Sequence, residues 1–457
     1  MMAVAAAPRG GDAASVRRVS HRGEAEFIPR QVVERELAGG LDPIEPRPHA
    51  SGEPYRAVRV LVRLHSYPLG VVDAALPPDG LDAPALAAAV ATQLGAAVAE
   101  HLAADGEPAP ESLTDGVPDD PSPTCQRERR SVLADAPRAT VVIPTRGRPD
   151  RLLACVASVL ESEYPRERFD VVVVDNAPED GATRDALERE HGAGERVAYV
   201  VAPRPGSASA RNDGVAHARG EVVAFADDDE VVDRHWLAEL AAGFRATPGV
   251  TCVTGLVMPA RLDTWAQELF EEYGGFGKGF RPRVVDLDVH RPPDPLFPFN
   301  AAGHVGSGNN VAFRRDALLD IGGYDPHLGN GTPTRAAEDW ELFVRVLRRG
   351  HGIAYRPSAL TYHTHRARYD ELREQVHDYG VGIAAALTRT IVRDPAALID
   401  IARRVPAGAR HLLSAGSSKN RNWSDSYPSD LRRAEVRGLS RGAAAYVRSR
   451  RRSAAAR

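Results

Sequence analysis

The sequence predicts an α/β protein with a mostly parallel central sheet and helices on both faces, plus a small N-terminal α+β unit and a helical C-terminal region. Three observations predict this class. From residue 138 onward, strand-like segments alternate with helical segments of about ten residues. The strands are apolar throughout, which is typical of parallel strands buried on both faces. Several strands end in polar residues, and such sheets bind their ligands beyond the carboxyl ends of the strands.

The bulk composition narrows the class of partner. The chain has 457 residues, 43% of them hydrophobic, which is enough for a sizeable core and for two or three domains. A net charge of -4 supplies no field that would attract nucleic acid, so we expect no nucleic-acid partner. The high content of alanine, arginine and glycine, with few lysines, is typical of a bacterial protein from a GC-rich genome.

Cysteine usage and hydropathy predict a cytoplasmic protein. Cys125, Cys155 and Cys252 are few and widely spaced, so they predict neither a disulfide framework nor a zinc site and fit a reducing compartment. The N-terminal residues lack the apolar core of a signal peptide. No uninterrupted apolar run of about 18 residues occurs, so we expect no transmembrane segment.

The N-terminal third of the chain divides into three parts. Residues 1–45 are polar and charge-mixed, which predicts a flexible arm. Residues 46–104 predict a small α+β accessory domain, in which two strands precede a helix from about Ala83 to Ala104. Residues 105–137 are rich in proline, aspartate and serine, and because that composition buries no core it predicts a linker.

The main domain is predicted over residues 138–366. Its strands are the segments ATVVIP, FDVVVVDN, RVAYVVA and EVVAFA, with helical segments between them. Residues 367–405 are mainly helical in pattern and predict a helical extension. Residues 406–457 are basic and low in complexity and predict a solvated tail, with contact to an anionic membrane surface as the less favoured alternative.

Four consecutive acids, Asp227–Glu230, follow the strand EVVAFA. Like charges packed at a sheet edge repel one another, so we expect a cation beside them. Mg²⁺ or Mn²⁺ takes few protein oxygens and completes its shell with water and substrate phosphates, which suits a nucleotide diphosphate. The alternative is a solvated turn whose acids cap the following helix.

Five sequence blocks follow one another along the chain. They are TVVIPTRGRPDRLLACVASVL, VVVVDNAPED, SASARNDGVAHARGEVVAFADDDEVVDRHWL, GSGNNVAFRRDALLDIGGYD and AEDWELFVRVLRRGHGIAYRPSALTYHTHR. Together they resemble the family 2 glycosyltransferases, whose GT-A fold is a Rossmann-like α/β arrangement. The resemblance covers roughly residues 138–392 and rests on the order and spacing of all five blocks.

The resemblance implies a site for a nucleotide-sugar donor. Pro144, Thr145 and Arg146 match the loop that wraps the nucleoside, and Asp175 matches the acid that hydrogen-bonds the base, usually uracil. Arg211 opens the helix beneath the phosphates and would neutralise the diphosphate. The structural alternatives are an Asx-turn for Asp175 and a helix-surface arginine for Arg211.

The same resemblance assigns roles to the acidic cluster. Asp227 and Asp229 match the two acids of an Asp-x-Asp motif, of which the first faces the ribose and the second binds the divalent metal. Asp228 offers a second register, so it joins Asp227 among the nucleotide-binding candidates. His363 matches the single histidine of the family and is the predicted further metal ligand.

Glu338 and Asp339 begin a helix on the acceptor side of the predicted site. In related enzymes the aspartate of this pair is the general base that takes the proton of the acceptor hydroxyl during an inverting transfer. Adjacent helical residues point about 100° apart, so Glu338 would bind the acceptor or hold Asp339. Capping of the helix is the alternative role for both acids.

The acceptor wall is predicted from small, amide and imidazole side chains. Gly308 would allow a sugar to approach closely, and Asn309 and Asn310 would hydrogen-bond its hydroxyls. His365 lies on the same strand face as His363, because the side-chain period of a strand is two, and it is predicted to contact substrate.

The favoured function is the inverting transfer of a sugar from a nucleotide-diphosphate donor, UDP-linked by resemblance, to a hydroxyl on a glycan, a lipid-linked acceptor or a small molecule. Two alternatives stay open. A nucleotidyltransferase would also need acids and a metal, although the loop IPTRGRPDR has a single glycine and no lysine for a triphosphate. A non-catalytic glycan or nucleotide binder would leave the acids dispensable.

Overall fold

The computed structural model describes residue 24 and residues 26–455, apart from 119–121, 193–195, 415, 418, 421, 425 and 426. Its strands are β1 (Arg30–Glu36), β2 (Ala57–Leu64), β3 (Tyr67–Ala75), β4 (Ala139–Thr145), β5 (Phe169–Asn176), β6 (Val197–Ala202), β7 (Val222–Ala226), β8 (Glu230–Val232), β9 (Val250–Pro259), β10 (Arg283–Val285), β11 (Asn310–Arg314) and β12 (Gly352–His363). Its helices are α1 (Ala83–Asp105), α2 (Thr124–Ala134), α3 (Pro149–Leu160), α4 (Ala182–His191), α5 (Ser207–His217), α6 (Trp236–Ala246), α7 (Trp265–Tyr273), α8 (Ala301–Val305), α9 (Arg315–Asp320), α10 (Glu338–Arg348), α11 (Tyr369–Arg393), α12 (Ala397–Leu413), α13 (Ser429–Leu439) and α14 (Gly442–Ala455).

A nine-stranded sheet forms the centre of the molecule. Its strand order is β10-β12-β9-β11-β7-β4-β5-β6, with β8 paired to β12. Strands β4 to β7 are parallel to one another, and β12 is parallel to β9. The predicted α/β class is confirmed. The sheet is mixed rather than mostly parallel, because the short strands β8, β10 and β11 pair antiparallel with their neighbours and need no crossover helix.

Helices cover both faces of this sheet. Leu152 of α3 and Trp236 of α6 belong to the buried apolar cluster on one face. Ala210 of α5 and Phe343 of α10 belong to the cluster on the other face. Because both faces are covered, strand β5 is buried along almost its whole length, as its continuous apolar sequence predicts.

Strands β1, β2 and β3 form a separate three-stranded sheet, with β1 parallel to β2 and β2 antiparallel to β3. The flexible arm predicted over residues 1–45 is therefore wrong for Arg30–Glu36, which form β1. The segment RQVVERE has a weak apolar pattern of its own, and the buried strand β2 supplies the partner that the sequence pattern could not reveal. Residues 1–23 and 25 lie outside the described part of the chain.

Helix α1 packs on this small sheet and matches its predicted bounds closely. Leu86, Val90, Val98 and Leu102 are buried in one apolar cluster with side chains of β2. Among the described residues, α1 is the one helix that is long and apolar enough, by length and composition alone, to cross a membrane.

Helix α2 lies inside the segment predicted as a linker, residues 105–137, so that prediction is wrong for Thr124–Ala134. Arg129 of α2 donates a hydrogen bond from Nε to Glu239 of α6 over 2.7 Å, and its guanidinium lies 4.3 Å from the ring centre of Tyr67 on β3. Val132 is buried in the core of the large sheet. The proline-rich residues before α2 dominated the composition and hid the helix.

The basic tail predicted over residues 406–457 is wrong for the described residues of that segment. Helices α13 and α14 pack on α11, and Tyr446 of α14 is 2% exposed. The predicted boundary at residue 405 also falls inside α12, which continues through Pro406. Ala434, Gly438 and Ala445, which belong to the stretch of small residues that suggested low complexity, are buried in α13 and α14.

The closest of these contacts joins α11 to α13 and is called here the glycine seam (Gly380 and Gly438). A Cβ atom at Gly438 would lie 2.0 Å from the carbonyl oxygen of His377, and one at Gly380 would lie 2.2 Å from that of Glu435. Because real Cβ atoms do not approach carbonyl oxygens so closely, both positions need glycine for the two helices to touch.

Candidate active site

The carboxyl edge of the large sheet gathers the predicted donor residues. Thr145 at the end of β4 pairs in register with Asp175 on β5. Asp227 follows β7 directly, and Asn310 opens β11 opposite Ala226 of β7. Because these strand ends share one edge, side chains that are far apart in the sequence lie in one neighbourhood, as the strand pattern predicts.

Arg211 joins the acidic cluster to the Glu-Asp helix. This residue is 4% exposed, and its two terminal nitrogens each lie 2.7 Å from a carboxylate oxygen, one of Asp227 and one of Glu338. Ser207 donates a further hydrogen bond of 2.6 Å to Glu338. The alternative of a helix-surface arginine is therefore wrong. Its predicted role toward a diphosphate stays a prediction, since both terminal nitrogens already contact carboxylates.

Asp228 faces inward, toward the first loop. The Thr145 hydroxyl donates to one of its oxygens over 2.7 Å, and Arg148 donates to the other over 3.2 Å. Burial and the neighbouring Asp229 raise the pKa of Asp228, against the opposing effect of these two donors. Arg148 was missed by sequence reasoning, although it stands only two residues beyond the predicted Pro144–Arg146 loop.

The two oxygens of Asp229 face different partners. Oδ1 lies 3.6 Å from Nε2 of His363, and Oδ2 lies 3.3 Å from Arg148.

The first acid of the cluster, Asp227, has a raised pKa. Burial raises the pKa of Asp227 to about 7, with Arg211 opposing the shift and Asp229 adding to it. Arg211 and Arg148 thus offset only part of the cost of negative charge at Asp227 and Asp228, which favours a further cation beside the cluster.

His363 is fixed from behind by a second imidazole. Its Nδ1 shares a hydrogen bond of 2.8 Å with Nδ1 of His365, whose Nε2 lies 3.0 Å from Glu271 of α7. His365 is 4% exposed, so its predicted contact with an acceptor is wrong. Both of its ring nitrogens are already occupied by protein partners. Glu271 was missed because it lies far away in sequence, in a helix that no motif marks.

Asn310 is a core residue, so its predicted role in acceptor binding is wrong. It is 0% exposed. Its amide nitrogen donates to the carbonyl oxygens of Leu256 and Ala359 over 3.0 and 2.8 Å, and its oxygen accepts from Trp236 over 2.9 Å. These bonds tie β11 to its neighbours across the sheet.

Asn309 is also directed into the protein. Its amide donates to Glu230 over 2.6 Å, and its oxygen accepts from Ser307. Asn309 is 6% and Glu230 1% exposed, so the predicted contact of Asn309 with a sugar is not supported. Glu230 also accepts from the backbone N–H of Asp227 over 3.2 Å, which makes it a buried support of the acidic cluster.

Asp339 is held by two backbone donors. The N–H of Gly308 donates to one oxygen over 2.6 Å and the N–H of Trp340 to the other over 2.7 Å. Burial and then Glu338 raise the pKa of Asp339. A Cβ atom on Gly308 would lie 2.4 Å from Cβ of Asp339, so the glycine permits this close contact. Ala337, directly before α10, has a left-handed φ of 71°, a strained value that sets the angle of the helix start.

Asp175 keeps one oxygen without a protein partner. Oδ2 accepts from the Tyr199 hydroxyl over 2.9 Å, whereas Oδ1 is buried and has no hydrogen-bond partner among the described residues. The residue is 0% exposed. A buried unpaired acceptor is costly, and a ligand N–H group would satisfy it. Of the other predicted loop residues, Pro144 lies in β4 and Arg146 is exposed, 3.3 Å from Glu179.

Known proteins resemble the chain in this region. The family described as Glycosyltransferase like family 2 matches residues 137–377, a little over half of the chain. The pre-mycofactocin glycosyltransferase of Mycobacterium tuberculosis is 29% identical over 259 residues, which are 56% of this chain and 48% of the relative. Glycosyltransferase AglE of Haloferax volcanii is 29% identical over 195 residues, which are 43% of this chain and 58% of the relative. This chain thus spans about half the length of these curated relatives.

Among solved structures, the mannosyltransferase PcManGT from Pyrobaculum calidifontis, in complex with GDP-Man and Mn²⁺, is 20% identical to this chain. The match covers 67% of this chain and 87% of that chain, with a TM-score of 0.44.

Proposed function

The chain belongs to the glycosyltransferase-like family 2, and from this premise we propose that it transfers a sugar from a nucleotide-diphosphate donor to a hydroxyl acceptor. The transfer inverts the configuration of the anomeric carbon, so an α-linked donor yields a β-linked product. The donor binds at the carboxyl edge of the large sheet, and the acceptor binds beside the start of α10.

The bridge made by Arg211 is the observation that carries this proposal. One end of its guanidinium contacts Asp227 in the donor cluster, and the other contacts Glu338, next to Asp339. A single buried cation therefore joins Asp227 of the Asp-x-Asp motif to Glu338, the residue before the candidate general base. The bridge thus holds the donor cluster close to the start of α10, and a group transfer needs its reacting groups held close together in a fixed orientation.

We assign the donor nucleoside to the carboxyl edge of the large sheet at Asp175. Its unpartnered buried Oδ1 is an acceptor that suits the imide N–H of uracil, which favours a UDP-sugar. Thr145 and Arg148 keep Asp228 in place at the same edge. The exposed Arg146 is free to turn toward a phosphate or ribose, since its contact with Glu179 is a surface pair.

Asp229 and His363 are the residues that would hold a divalent Mg²⁺ or Mn²⁺. Their facing atoms, a carboxylate oxygen and an imidazole nitrogen, are 3.6 Å apart, a donor set that fits these cations and leaves positions for water and phosphate. When bound, the cation would offset the charge that develops on the diphosphate leaving group. His365 and Glu271 orient His363 for this role.

Asp339 is the proposed general base. It takes the proton of the acceptor hydroxyl as that oxygen attacks the anomeric carbon. The two backbone N–H groups from Gly308 and Trp340 fix its carboxylate plane. The raised pKa makes the ionised carboxylate a better proton acceptor than an exposed aspartate would be.

The test is the release of nucleoside diphosphate from a panel of UDP- and GDP-sugars with Mn²⁺, with and without candidate acceptors. We expect Asp339→Asn to lower turnover by about 10²- to 10⁴-fold, the usual contribution of a general base. The raised pKa of Asp339 means that this carboxyl ionises at a higher pH than an exposed aspartate does. The loss of wild-type kcat on the acid side of the pH profile should therefore occur at a pH above the usual pKa of an aspartate.

The matched control is Asp370→Asn, which removes an exposed aspartate from the first turn of α11. It should leave turnover unchanged. Wild-type turnover in the Asp339→Asn enzyme, with the protein folded, would refute the assignment of the base.

A further inference from the structure

Four side chains converge in the N-terminal part of the molecule, away from the carboxyl edge of the large sheet. His65 lies in the turn between β2 and β3, His101 and Asp105 lie one turn apart at the end of α1, and Cys125 is the second residue of α2. One ligand-type atom of each lies within 4.8 Å of those of the others. We call this group the N-terminal cluster.

The distances within the N-terminal cluster resemble the edges of a tetrahedron. His65 Nδ1 and His101 Nε2 are 3.4 Å apart, and Cys125 Sγ lies 3.6 and 3.7 Å from these nitrogens. A tetrahedral Zn²⁺ with Zn–N bonds of about 2.0–2.1 Å and a Zn–S bond of about 2.3 Å would separate nitrogens by about 3.3 Å, and sulfur from nitrogen by about 3.6 Å. These three edges therefore match a zinc site.

Asp105 supplies the fourth corner. Its Oδ2 lies 2.9 Å from His65 Nδ1, 3.4 Å from His101 Nε2 and 3.0 Å from Cys125 Sγ. Two of these edges are shorter than in a zinc site and would lengthen by about half an ångström on metal binding. The other oxygen, Oδ1, accepts from the backbone N–H of Cys125 over 2.8 Å, which orients the carboxylate.

Hydrogen bonding alone explains the N-terminal cluster poorly. The contacts of His101 Nε2 with the other three ligand atoms are 3.4–3.7 Å long. Good hydrogen bonds to nitrogen or oxygen are about 2.7–3.2 Å long, so this nitrogen points into the cluster without a close partner there. A cation at the centre would accept the lone pairs of all four groups at once.

We propose that the N-terminal cluster is a structural zinc site. One thiolate, two imidazoles and one carboxylate form a ligand set that favours zinc over magnesium or calcium. Four protein ligands leave no open position for a substrate, which is the arrangement of a structural rather than a catalytic site.

The site would fasten three elements to one another. The β2–β3 turn is already held by Glu36, whose carboxylate accepts from the backbone N–H groups of His65 and Ser66 over 2.9 Å each. Zinc would join this turn to the end of α1 and the start of α2. Helix α2 in turn contacts α6, a helix on one face of the large sheet, through Arg129 and Glu239. The metal thereby fixes the accessory unit to the element that docks on the enzyme.

The experiment measures metal content in the full chain, produced with zinc and washed free of loosely bound metal. We expect about one zinc per chain in the wild type and in Asp229→Ala, which removes a ligand from the other candidate metal site. Zinc should be lost in Cys125→Ser and in His101→Gln. Wild-type protein that holds no zinc and takes up none from solution would overturn the proposal.

Cobalt replacement identifies the sulfur ligand directly. Metal-depleted wild-type protein titrated with Co²⁺ should develop a sulfur-to-cobalt charge-transfer band and the visible bands of tetrahedral cobalt. The matched control Cys252→Ala should keep the charge-transfer band, and Cys125→Ser should lose it. Persistence of that band in Cys125→Ser, or its absence from the wild type, would refute the site.

If Cys125→Ser does not fold, the wild type alone decides the question. Its melting temperature should fall when a strong chelator removes zinc and recover when zinc is restored. A melting temperature that does not change with zinc would contradict the proposed role.

Discussion

The carboxyl edge of the large sheet and the N-terminal cluster use similar residue types in opposite ways. At the edge, Asp229 and His363 face each other at 3.6 Å, and as the two proposed protein ligands they would leave most of a metal's coordination shell to substrate and water. In the N-terminal cluster, four protein atoms, one of them the sulfur of Cys125, lie within 4.8 Å of one another. Under the two proposals, the number of protein donors, more than their identity, distinguishes a catalytic metal site from a structural one.

The two regions also differ in how far their members lie apart along the chain. Asp229 lies in a run of four acids directly after a strand, so the sequence alone predicts an acidic cluster at the edge of the sheet. The members of the N-terminal cluster come from a hairpin turn and two helices, up to 60 residues apart. Sequence reading therefore predicted no zinc site, because only the fold brings Cys125 to the two histidines.

The buried ion pair between α2 and α6 gives the largest expected effect. Glu239 is buried and accepts from Arg129 over 2.7 Å and from Arg356 over 2.7 Å. Glu239→Gln leaves the buried Arg129 and the partly buried Arg356 without their anion, so we expect a loss of about 3–5 kcal/mol in the free energy of unfolding. Urea unfolding at neutral pH measures it. Asp135→Asn, which removes an exposed pair with Arg245, should lose less than about 1 kcal/mol.

The same pair predicts a pH dependence of stability. Burial opposes ionisation of Glu239, but Arg356 and Arg129 prevail and lower its pKa to about 2 from 4.5. The pair therefore stabilises the fold fully above about pH 4.5, and that stabilisation disappears as the pH falls toward 2. Wild-type protein should lose stability over this window more steeply than Glu239→Gln; equal slopes would contradict the role of this carboxylate.

Asp229→Ala tests whether the candidate active site and the N-terminal cluster are independent. Asp229 is a proposed ligand of the divalent cation that would offset charge on the leaving diphosphate, so its removal should lower kcat/KM by about 10²- to 10³-fold. Zinc content and melting temperature should stay at wild-type values, because the N-terminal cluster shares no ligand with the edge. A loss of zinc in this variant would show that the two regions are not independent.

His365→Gln gives the smallest effect and sharpens the comparison within the edge itself. Since His365 orients His363 without facing substrate, we expect the Mn²⁺ concentration for half-maximal activity to rise by about 10- to 100-fold. The kcat at saturating Mn²⁺ should stay near wild type. An unchanged Mn²⁺ requirement would mean that His365 serves packing alone, and Glu271→Gln should act in the same direction.

The parts of the fold that repeat a local pattern could be predicted from sequence. The uniformly apolar segments predicted the strands of the large sheet. The polar residues at the strand ends predicted that Thr145, Asp175 and Asp227 would lie at one edge of that sheet. The roles of polar motif residues were harder to predict, because the sequence does not reveal which side chains are buried. Asn310 and His365 have side chains that can hydrogen-bond a sugar, yet in the structure they hydrogen-bond Ala359 and Glu271 of the protein instead.

Long-range partners were beyond reach for the same reason. Arg211 could be predicted as a cation near phosphates, but its bond to Glu338 joins residues 127 positions apart. Helices α2, α13 and α14 were hidden by compositions that resemble linkers and tails. These helices are stabilised mainly by packing their amphipathic or small-residue faces on neighbouring elements, and the sequence does not reveal which elements those are.

The glycine seam sets where the polypeptide can be shortened. An expression plasmid that stops at residue 405, a natural choice from composition, would remove α13 and α14 and leave the backbone around Gly380 facing water. The apolar hollow that Tyr446 fills would be uncovered as well. Such a shortened product should clump or be degraded in the cell, so crystallisation and assay samples are best kept intact through residue 455.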